Sequence, residues 1–173
     1  MTITTRIATV ADATTLSQLG TATFVETFGH LYSPANLAKF LENHSAAHWA
    51  TELADADYAV QLAFERDTPI GYAKLGPPHL PFEPQPGRFA VELRQLYVLA
   101  HWHGSGVAKM LTDWLIATAR QRGAQDLYLS VFTQNPRAQA FYRRYGFESV
   151  GEYAFMVGDH ADADLVMRAK LDD

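Results

Sequence analysis

Residues 91–123 read VELRQLYVLAHWHGSGVAKMLTDWLIATARQRG, and residues 124–147 continue with AQDLYLSVFTQNPRAQAFYRRYGF. Their apolar spacing and turn residues predict, in order, a strand, a glycine turn, an amphipathic helix, a second strand and a second helix. The turn contains Gly104 and Gly106, and the helix after it begins near Val107. A glycine-rich turn that leads into a helix directs backbone N–H groups at one point and favours an anion there. This stretch therefore predicts an anion-binding site.

Shorter elements flank the central stretch on both sides. They are a strand over residues 3–10, a helix over 13–29, short helices that begin near Pro34 and Ser45, strands over 58–65 and 70–75, and C-terminal strands over 147–157 and 163–171. Asp12 is predicted to cap the first helix and Gly29 to close it. This alternation predicts an α/β (α+β) fold in which helices cover a mixed sheet. A length of 173 residues predicts a single domain over residues 1–173.

One loop stands out between the strands. Residues 76–87, GPPHLPFEPQPG, hold five of the eight prolines. Proline removes a ladder donor and fixes φ, so this segment is predicted to be a loop of restricted conformation. It is too short to join two domains, and it either borders a substrate cleft or is a surface excursion.

The composition excludes several function classes. The chain has no cysteine, which rules out disulfides, thiolate metal sites and cysteine nucleophiles. Its net charge of −5 at pH 7 argues against nucleic acid as the main partner, because phosphate binding needs a basic face. No run approaches the ~18 apolar residues of a membrane span, and the N-terminus lacks the segments of a secretory signal. We therefore expect no membrane partner and a cytoplasmic location.

Three kinds of glycine loop compete to explain the turn. A P-loop needs GxxxxGK[ST], which the residues after Gly104 do not match. A dinucleotide fingerprint needs GxGxxG at the first strand–helix turn, but position 109 is lysine and the motif lies in mid-chain. The third kind is an acyl-CoA loop, [Q/R]xxGx[G/A], after a strand that ends in LxV. His103-Gly104-Ser105-Gly106-Val107-Ala108, after Leu96-Tyr97-Val98, resembles this loop of the GNAT superfamily of N-acetyltransferases.

A second motif strengthens the resemblance. The order Asn135, Ala138, Tyr142 and Gly146-Phe147 is similar to the NxxAxxxYxxxGF half of the family's CoA site. The resemblance extends from residue 6 to residue 171. It implies the GNAT fold, in which a mixed, mostly antiparallel sheet is flanked by helices and holds acyl-CoA at splayed central strands. Within the superfamily, ETFGHLYSP, ELRQLYV and VGDHADADLVM resemble the bacterial spermidine/spermine N-acetyltransferase branch.

The resemblance implies where acetyl-CoA, the co-substrate, would bind. The implied residues are Leu96, Tyr97, Val98, His103, Gly104, Ser105, Gly106, Val107, Ala108, Asn135, Ala138 and Tyr142. Small residues at 104, 106 and 108 let the backbone approach a phosphate, and the helix dipole favours the pyrophosphate charge. Position 103 departs from the family, which usually has Arg or Gln there. Because a protonated imidazole carries a charge and a second donor, we expect CoA affinity to weaken between about pH 6 and 8.

The implied reaction is acetyl transfer from acetyl-CoA to an amine by direct attack in a ternary complex. A primary alkylamine has a pKa near ~10, so it must lose a proton before it attacks. Glu92 is predicted as the base, acting directly or through water, with Glu26 and Glu83 as less favoured candidates. Alternatively, Glu92 faces solvent or pairs with Arg94.

Two further groups complete the predicted chemistry. The backbone N–H of Val98 is expected to donate to the oxyanion of the tetrahedral intermediate. Tyr142 is expected to protonate the leaving thiolate, although a packing role in the core or against CoA is the alternative. Asn135 is expected both to cap its helix and to contact CoA.

The acceptor side is less well specified. Phe28, Tyr32 and Phe82 are predicted to form part of its wall. The arginines at 137, 143 and 144 form a solvated helix face or meet the CoA 3′-phosphate. The histidine pairs 101/103 and 44/48 lack a third ligand, so no metal is expected.

These observations predict an acetyl-CoA-dependent N-acetyltransferase that acts on a small primary amine such as a polyamine. Acetylation of a protein N-terminus or lysine is an alternative acceptor, and a CoA-binding regulatory module without turnover is an alternative class. The C-terminal edge strand is compatible with a homodimer.

Overall fold

A computed structural model of the chain describes residues 2–172. Its elements are β1 (Ile3–Ile7), α1 (Ala13–Phe28), α2 (Pro34–Leu41), α3 (Ala46–Ala54), β2 (Ala59–Glu65), β3 (Thr68–Gly76), β4 (Ala90–Val98), α4 (Val107–Gln121), β5 (Asp126–Phe132), α5 (Pro136–Arg143), β6 (Glu148–Val157) and β7 (His160–Lys170). The strands form one seven-stranded sheet in the order β1-β2-β3-β4-β5-β7-β6. The single-domain extent of 1–173 stays a prediction.

The sheet is antiparallel except at its centre. Strands β4 and β5 run parallel, and only three residue pairs join them, from Ala90 opposite Asp126 to Glu92 opposite Tyr128. Beyond Glu92 the two strands separate, although β4 continues to Val98. On its other edge β4 stays paired with β3, with a register shift between Lys74 and Leu75. The sheet is therefore open on one side of β4 over six residues of that strand, 93–98.

Helices cover both faces of the sheet. Helix α4 buries Val107, Leu111 and Leu115 completely against one face. On the opposite face, α1 and α3 pack on β2 and β3, where Trp49 lies 5.3 Å from the Tyr72 ring in an edge-on arrangement. The predicted mixed sheet with helices on its faces is thus confirmed.

Three local expectations differ from the structure. Asp12 precedes α1 but makes no capping bond to it; its carboxylate accepts from the Thr9 amide at 2.8 Å and pairs with Arg6 at 2.7 Å. Gly29 ends α1 with a right-handed φ of −55°, so no glycine conformation is required there. Strand β7 begins at His160, three residues earlier than predicted, because His160 pairs with Val157 across a two-residue turn.

Candidate active site

The separation of β4 from β5 leaves backbone groups of β4 without a strand partner. The Leu99 N–H donates to the Ile70 carbonyl of β3 at 2.9 Å. Since hydrogen-bonded pairs alternate along an antiparallel ladder, the N–H and C=O of Val98 point away from β3 and into the gap. The Val98 carbonyl accepts from the His103 ring there, at 2.8 Å, whereas its N–H faces the open gap. This is the position that the sequence predicts for an oxyanion donor.

Two cavities meet in this gap. One, the aromatic cavity, lies toward α1 and β7 and is lined in part by Phe24, Phe28, Tyr32, Tyr97, Phe132, Phe155, Asp162 and Asp164. The other, the turn cavity, lies toward the start of α4 and is lined in part by His103, Gly104, Gly106, Ala108, Lys109, Arg137, Phe141 and Arg144. Six residues line both cavities: Thr27, Leu96, Val98, Asn135, Ala138 and Tyr142. A molecule in each cavity would therefore touch the other across these shared residues.

The turn cavity ends at the exposed N-terminus of α4. Gly104 and Gly106 have φ of +80° and +92°, and no atom lies within 4 Å of where a Cβ would stand on either. Gly106 provides no side-chain cap to α4, whereas Ser33, Ser45 and Asn135 cap α2, α3 and α5. The first amides of α4 thus remain available to an anion from outside the helix.

Cationic side chains surround that turn. Lys109, Arg137 and Arg144 line the turn cavity, which suits phosphate groups. Arg143 does not line it and instead lies 3.4 Å from the Gln139 side chain. Of the three arginines that the sequence places on one helix face, Arg137 and Arg144 therefore line the turn cavity and Arg143 does not.

His103 is engaged on both sides of its ring. Its Nε2 lies 2.8 Å from the Val98 carbonyl, and its Nδ1 lies 3.4 Å from an Arg137 nitrogen. Arg137 can only donate, so Nδ1 accepts and Nε2–H donates to Val98. Protonation of His103 would remove the Arg137 contact, and this opposes the predicted gain in CoA affinity at low pH.

The remaining residues of the predicted CoA loop divide between side-chain and backbone roles. Val107 is fully buried in the core, and the Ser105 hydroxyl donates to the Trp102 carbonyl at 2.6 Å. Neither lines a cavity, so each can contribute only backbone groups. Asn135 accepts from the Ala138 amide at 3.2 Å, as expected for the cap of α5, and also lines both cavities.

Tyr142 lies at the junction of the two cavities. The residue is 8% exposed, and none of the side-chain hydrogen bonds among residues 2–172 involves its hydroxyl. Burial raises its pKa, so the hydroxyl keeps its proton at neutral pH. A buried phenol that holds a proton beside the gap is suited to donate it.

Two carboxylates line the aromatic cavity. Asp162 and Asp164 lie two residues apart on β7, so both side chains face the same side of the sheet. The Tyr32 hydroxyl donates to Asp162, and His160 Nε2 lies 3.1 Å from the other Asp162 oxygen. Burial, followed by the Asp162 charge, raises the pKa of Asp164 to about 7, although the Ser130 hydroxyl opposes the shift.

The predicted base, Glu92, lies outside both cavities. The residue is 2% exposed and precedes the separation of the strands. Its carboxylate accepts from the His79 amide at 2.8 Å and lies 2.8 Å from His79 Nδ1, while Arg94 Nε is 3.9 Å away. The proline-rich loop thus holds this carboxylate. Its catalytic role stays a prediction.

The other acceptor-side predictions have mixed outcomes. Phe28 and Tyr32 line the aromatic cavity, but Phe82 stacks on Tyr128 with ring centroids 3.8 Å apart and lines neither cavity. Glu26 accepts from the Ala100 amide at 2.8 Å and Glu83 is exposed in the loop; neither lines either cavity. Asp162 and Asp164 were not predicted, although the alternation in residues 160–164, HADAD, is the signal that could have indicated two carboxylates on one face.

Residues 2–172 contain neither a metal-binding cluster nor a helix suited to span a membrane. That part of the chain contains no group of three or more His, Cys, Asp or Glu side chains arranged to hold a metal ion. His48 lies 3.2 Å from Glu52 instead, and burial lowers the pKa of His44 to about 4. No described helix is long and apolar enough to cross a bilayer.

Comparison with known proteins identifies the family. Residues 21–147 match the model of the acetyltransferase (GNAT) family. An uncharacterized N-acetyltransferase of Mycobacterium tuberculosis is 33% identical over 163 residues, which are 94% of this chain and 99% of that protein. The chain therefore belongs to the acetyltransferase (GNAT) family. It is an acetyl-CoA-dependent N-acetyltransferase, which is the class that the glycine turn at residues 103–108 and the motif at residues 135–147 predict.

Solved structures agree on the fold. The PaiA N-acetyltransferase from Thermoplasma acidophilum in complex with coenzyme A has a TM-score of 0.77 at 21% identity, covering 98% of this chain and 99% of that one. The ribosomal-protein-alanine N-acetyltransferase from Brucella melitensis has a TM-score of 0.67 at 27% identity, covering 96% and 99%. The predicted GNAT fold is confirmed.

Proposed function

We propose that this protein transfers an acetyl group from acetyl-CoA to a small primary amine, such as a polyamine, by direct attack in a ternary complex. The observation that carries the proposal is the pair of cavities that meet at Val98 and Tyr142. One cavity suits a phosphate-bearing donor and the other ends in carboxylates, which suit an ammonium group. Cytoplasmic location and a homodimer belong to the same proposal.

In this proposal acetyl-CoA occupies the turn cavity. The uncapped amides of α4 and the side chains of Lys109, Arg137 and Arg144 hold the phosphates. Backbone groups of β4 in the gap hold the thioester arm, and the Val98 N–H donates to the carbonyl oxygen as it becomes negative. Tyr142 gives its proton to the sulfur when the carbon–sulfur bond breaks. Glu92 is the base that the sequence predicts, but it lies outside both cavities and His79 occupies its carboxylate.

A second acceptor class has one specific support. The Brucella melitensis relative is a ribosomal-protein-alanine N-acetyltransferase and is 27% identical. An N-terminal amine of a protein is therefore the alternative acceptor.

Thiol release from acetyl-CoA, measured across spermidine, free amino acids and alanine-led peptides, tests the proposal. We expect turnover with at least one small amine, and mass spectrometry of the product should show one added acetyl group on nitrogen. Peptide turnover without small-amine turnover would move the acceptor to proteins. Tight binding of acetyl-CoA without thiol release from any acceptor would contradict the proposed reaction.

A further inference from the structure

The two aspartates that line the aromatic cavity differ in what they contact. Asp162 is 8% exposed and is engaged by the Tyr32 hydroxyl and the His160 ring. Asp164 is 6% exposed and has the Ser130 hydroxyl beside it. Within residues 2–172, no lysine, arginine or histidine forms an ion pair with Asp164. A carboxylate this deeply buried, open to a cavity and lacking a cation, is an incomplete site.

The elements packed around Asp164 offer it no compensating charge. The polar residues that face it are Ser130 of β5, Tyr97 and Arg94 of β4, Tyr153 of β6, Tyr32 after α1, and Asp162 of β7 itself. Arg94 is directed elsewhere, since its Nη1 donates to the Pro77 carbonyl at 3.2 Å and its guanidinium lies 5.8 Å from the Tyr58 ring centroid. A positive charge on a bound molecule would therefore complete this site when Asp164 is ionised.

Asp164 also shares a cavity with the groups at the reacting end of the gap. It pairs with Phe132 in the β5–β7 ladder, and both residues line the aromatic cavity together with Val98. Tyr142 lines both cavities, and Asp164 lines the aromatic one. An amine that rests against Asp164 can thus face a thioester that rests against Tyr142.

We propose that Asp164 is the general base that takes the proton from the acceptor ammonium, while Asp162, fixed by Tyr32 and His160, holds the cation in the cavity. The proposal rests on the acetyl transfer proposed above. An effective base has a pKa near the working pH, and the raised pKa of Asp164 meets that condition.

The proposed reaction releases one proton for each acetyl group transferred. The ammonium nitrogen gives one proton to the Asp164 carboxylate, and the freed lone pair forms a bond to the acetyl carbon. The nitrogen loses a second proton as the carbon–sulfur bond breaks, and Tyr142 protonates the departing sulfur. Asp164 releases its proton to solvent, and the second nitrogen proton restores the Tyr142 hydroxyl. The products are an N-acetyl amine, CoA thiol and one free proton.

The first test compares Asp164→Asn, Glu92→Gln and Asp159→Asn. Asp159 is a matched control, because it lies on the β6–β7 turn with its side chain 88% exposed. For each variant kcat and kcat/KM are measured from pH 5.5 to 9 with the best amine of the panel, and acetyl-CoA Kd is measured alongside. Asp164→Asn should lower kcat by about 10²–10⁴-fold, keep the acetyl-CoA Kd, and abolish the rise in kcat/KM centred near pH 7. The unchanged Kd also shows that the variant is folded.

Two results would overturn the assignment. One is a rise in kcat/KM near pH 7 that persists in Asp164→Asn. The other is a rise in kcat/KM that disappears in Glu92→Gln but not in Asp164→Asn, which would assign the base to Glu92.

The second test needs no turnover. Calorimetry with CoA present compares hexylammonium with its neutral isostere 1-hexanol. The wild type should bind hexylammonium at least about tenfold more tightly, and Asp162→Asn should reduce that preference, because a buried charge partner is removed. Equal binding of the two ligands overturns the cation site even if amines are acetylated. If no amine is acetylated but the preference is present and falls in Asp162→Asn, the proposed function fails and the cation site is supported.

Discussion

The turn cavity and the aromatic cavity are built in opposite ways. The turn cavity presents mainly backbone groups, through glycines with positive φ, an uncapped helix N-terminus and the unpaired edge of β4, and adds three cationic side chains. The aromatic cavity is formed by side chains from α1, β4, β5, β6 and β7. A site that presents backbone groups suits acetyl-CoA, because the donor is the same compound in every reaction of this class. A site lined by side chains can be changed by substitution to suit one acceptor. Variants should therefore separate donor affinity from acceptor chemistry.

The largest effect is expected at the junction of the cavities. Tyr142→Phe should lower kcat by about 10²–10⁴-fold, because the leaving sulfur loses its proton donor. Acetyl-CoA Kd should stay within about threefold, since the ring and its packing remain. Steady-state kinetics and calorimetry on the same preparation measure the two quantities. Phe141→Leu serves as a neighbouring packing control, and an unchanged kcat in Tyr142→Phe would remove the hydroxyl from the mechanism.

The next effect concerns stability rather than rate. The folded-state pKa of Asp164 is raised from 3.8 to about 7, so the folded protein binds more protons than the unfolded chain between these values. Its free energy of unfolding should consequently fall, relative to Asp164→Asn, as pH rises from about 4 to about 7. The difference is on the order of 1.4 kcal/mol for each unit of pKa shift. Urea unfolding at several pH values measures this difference. If the free energies of unfolding of the wild type and Asp164→Asn change in parallel with pH, the pKa of Asp164 is not raised by folding.

A smaller effect is expected at the glycine turn. Gly106→Ala places a Cβ at φ +92° and near the amides that face the anion, so acetyl-CoA Kd should rise about tenfold. Gly87 has a φ of +74° in the proline-rich loop and no atom within 4 Å of a Cβ position. Gly87→Ala therefore imposes similar backbone strain away from both cavities and should leave the Kd unchanged. Equal Kd changes in the two variants would mean that strain, not the anion site, is responsible.

The smallest effect is expected at His103. We predict that acetyl-CoA Kd rises about twofold between pH 6 and 8, and that His103→Gln flattens this dependence. The effect is small because protonation also removes the Arg137 contact. Arg137→Gln should steepen the dependence, since it removes that opposition. Identical pH profiles in wild type and His103→Gln would show that the histidine does not act through its charge.

Most of the donor side could be predicted because it is local in sequence. The strand, turn and helix around Gly104 and Gly106 follow from residue types within about 30 positions of each other, and the Asn135 cap was confirmed. The contacts of Glu92, in contrast, depend on how the proline-rich loop folds back onto β4. The place of Glu92 on β4 was predicted, but not that the loop at His79 would take its carboxylate.

By itself, the sequence determined the elements, the anion-binding turn and the family, because helix and strand periodicity and glycine conformations are local properties. Only the tertiary structure decided the acceptor side. Whether Asp162 and Asp164 face a cavity or solvent depends on the register of β7, and a slip of one residue would turn both to the other face. The Tyr32 contact that fixes Asp162 joins residues 130 positions apart, which no local pattern encodes.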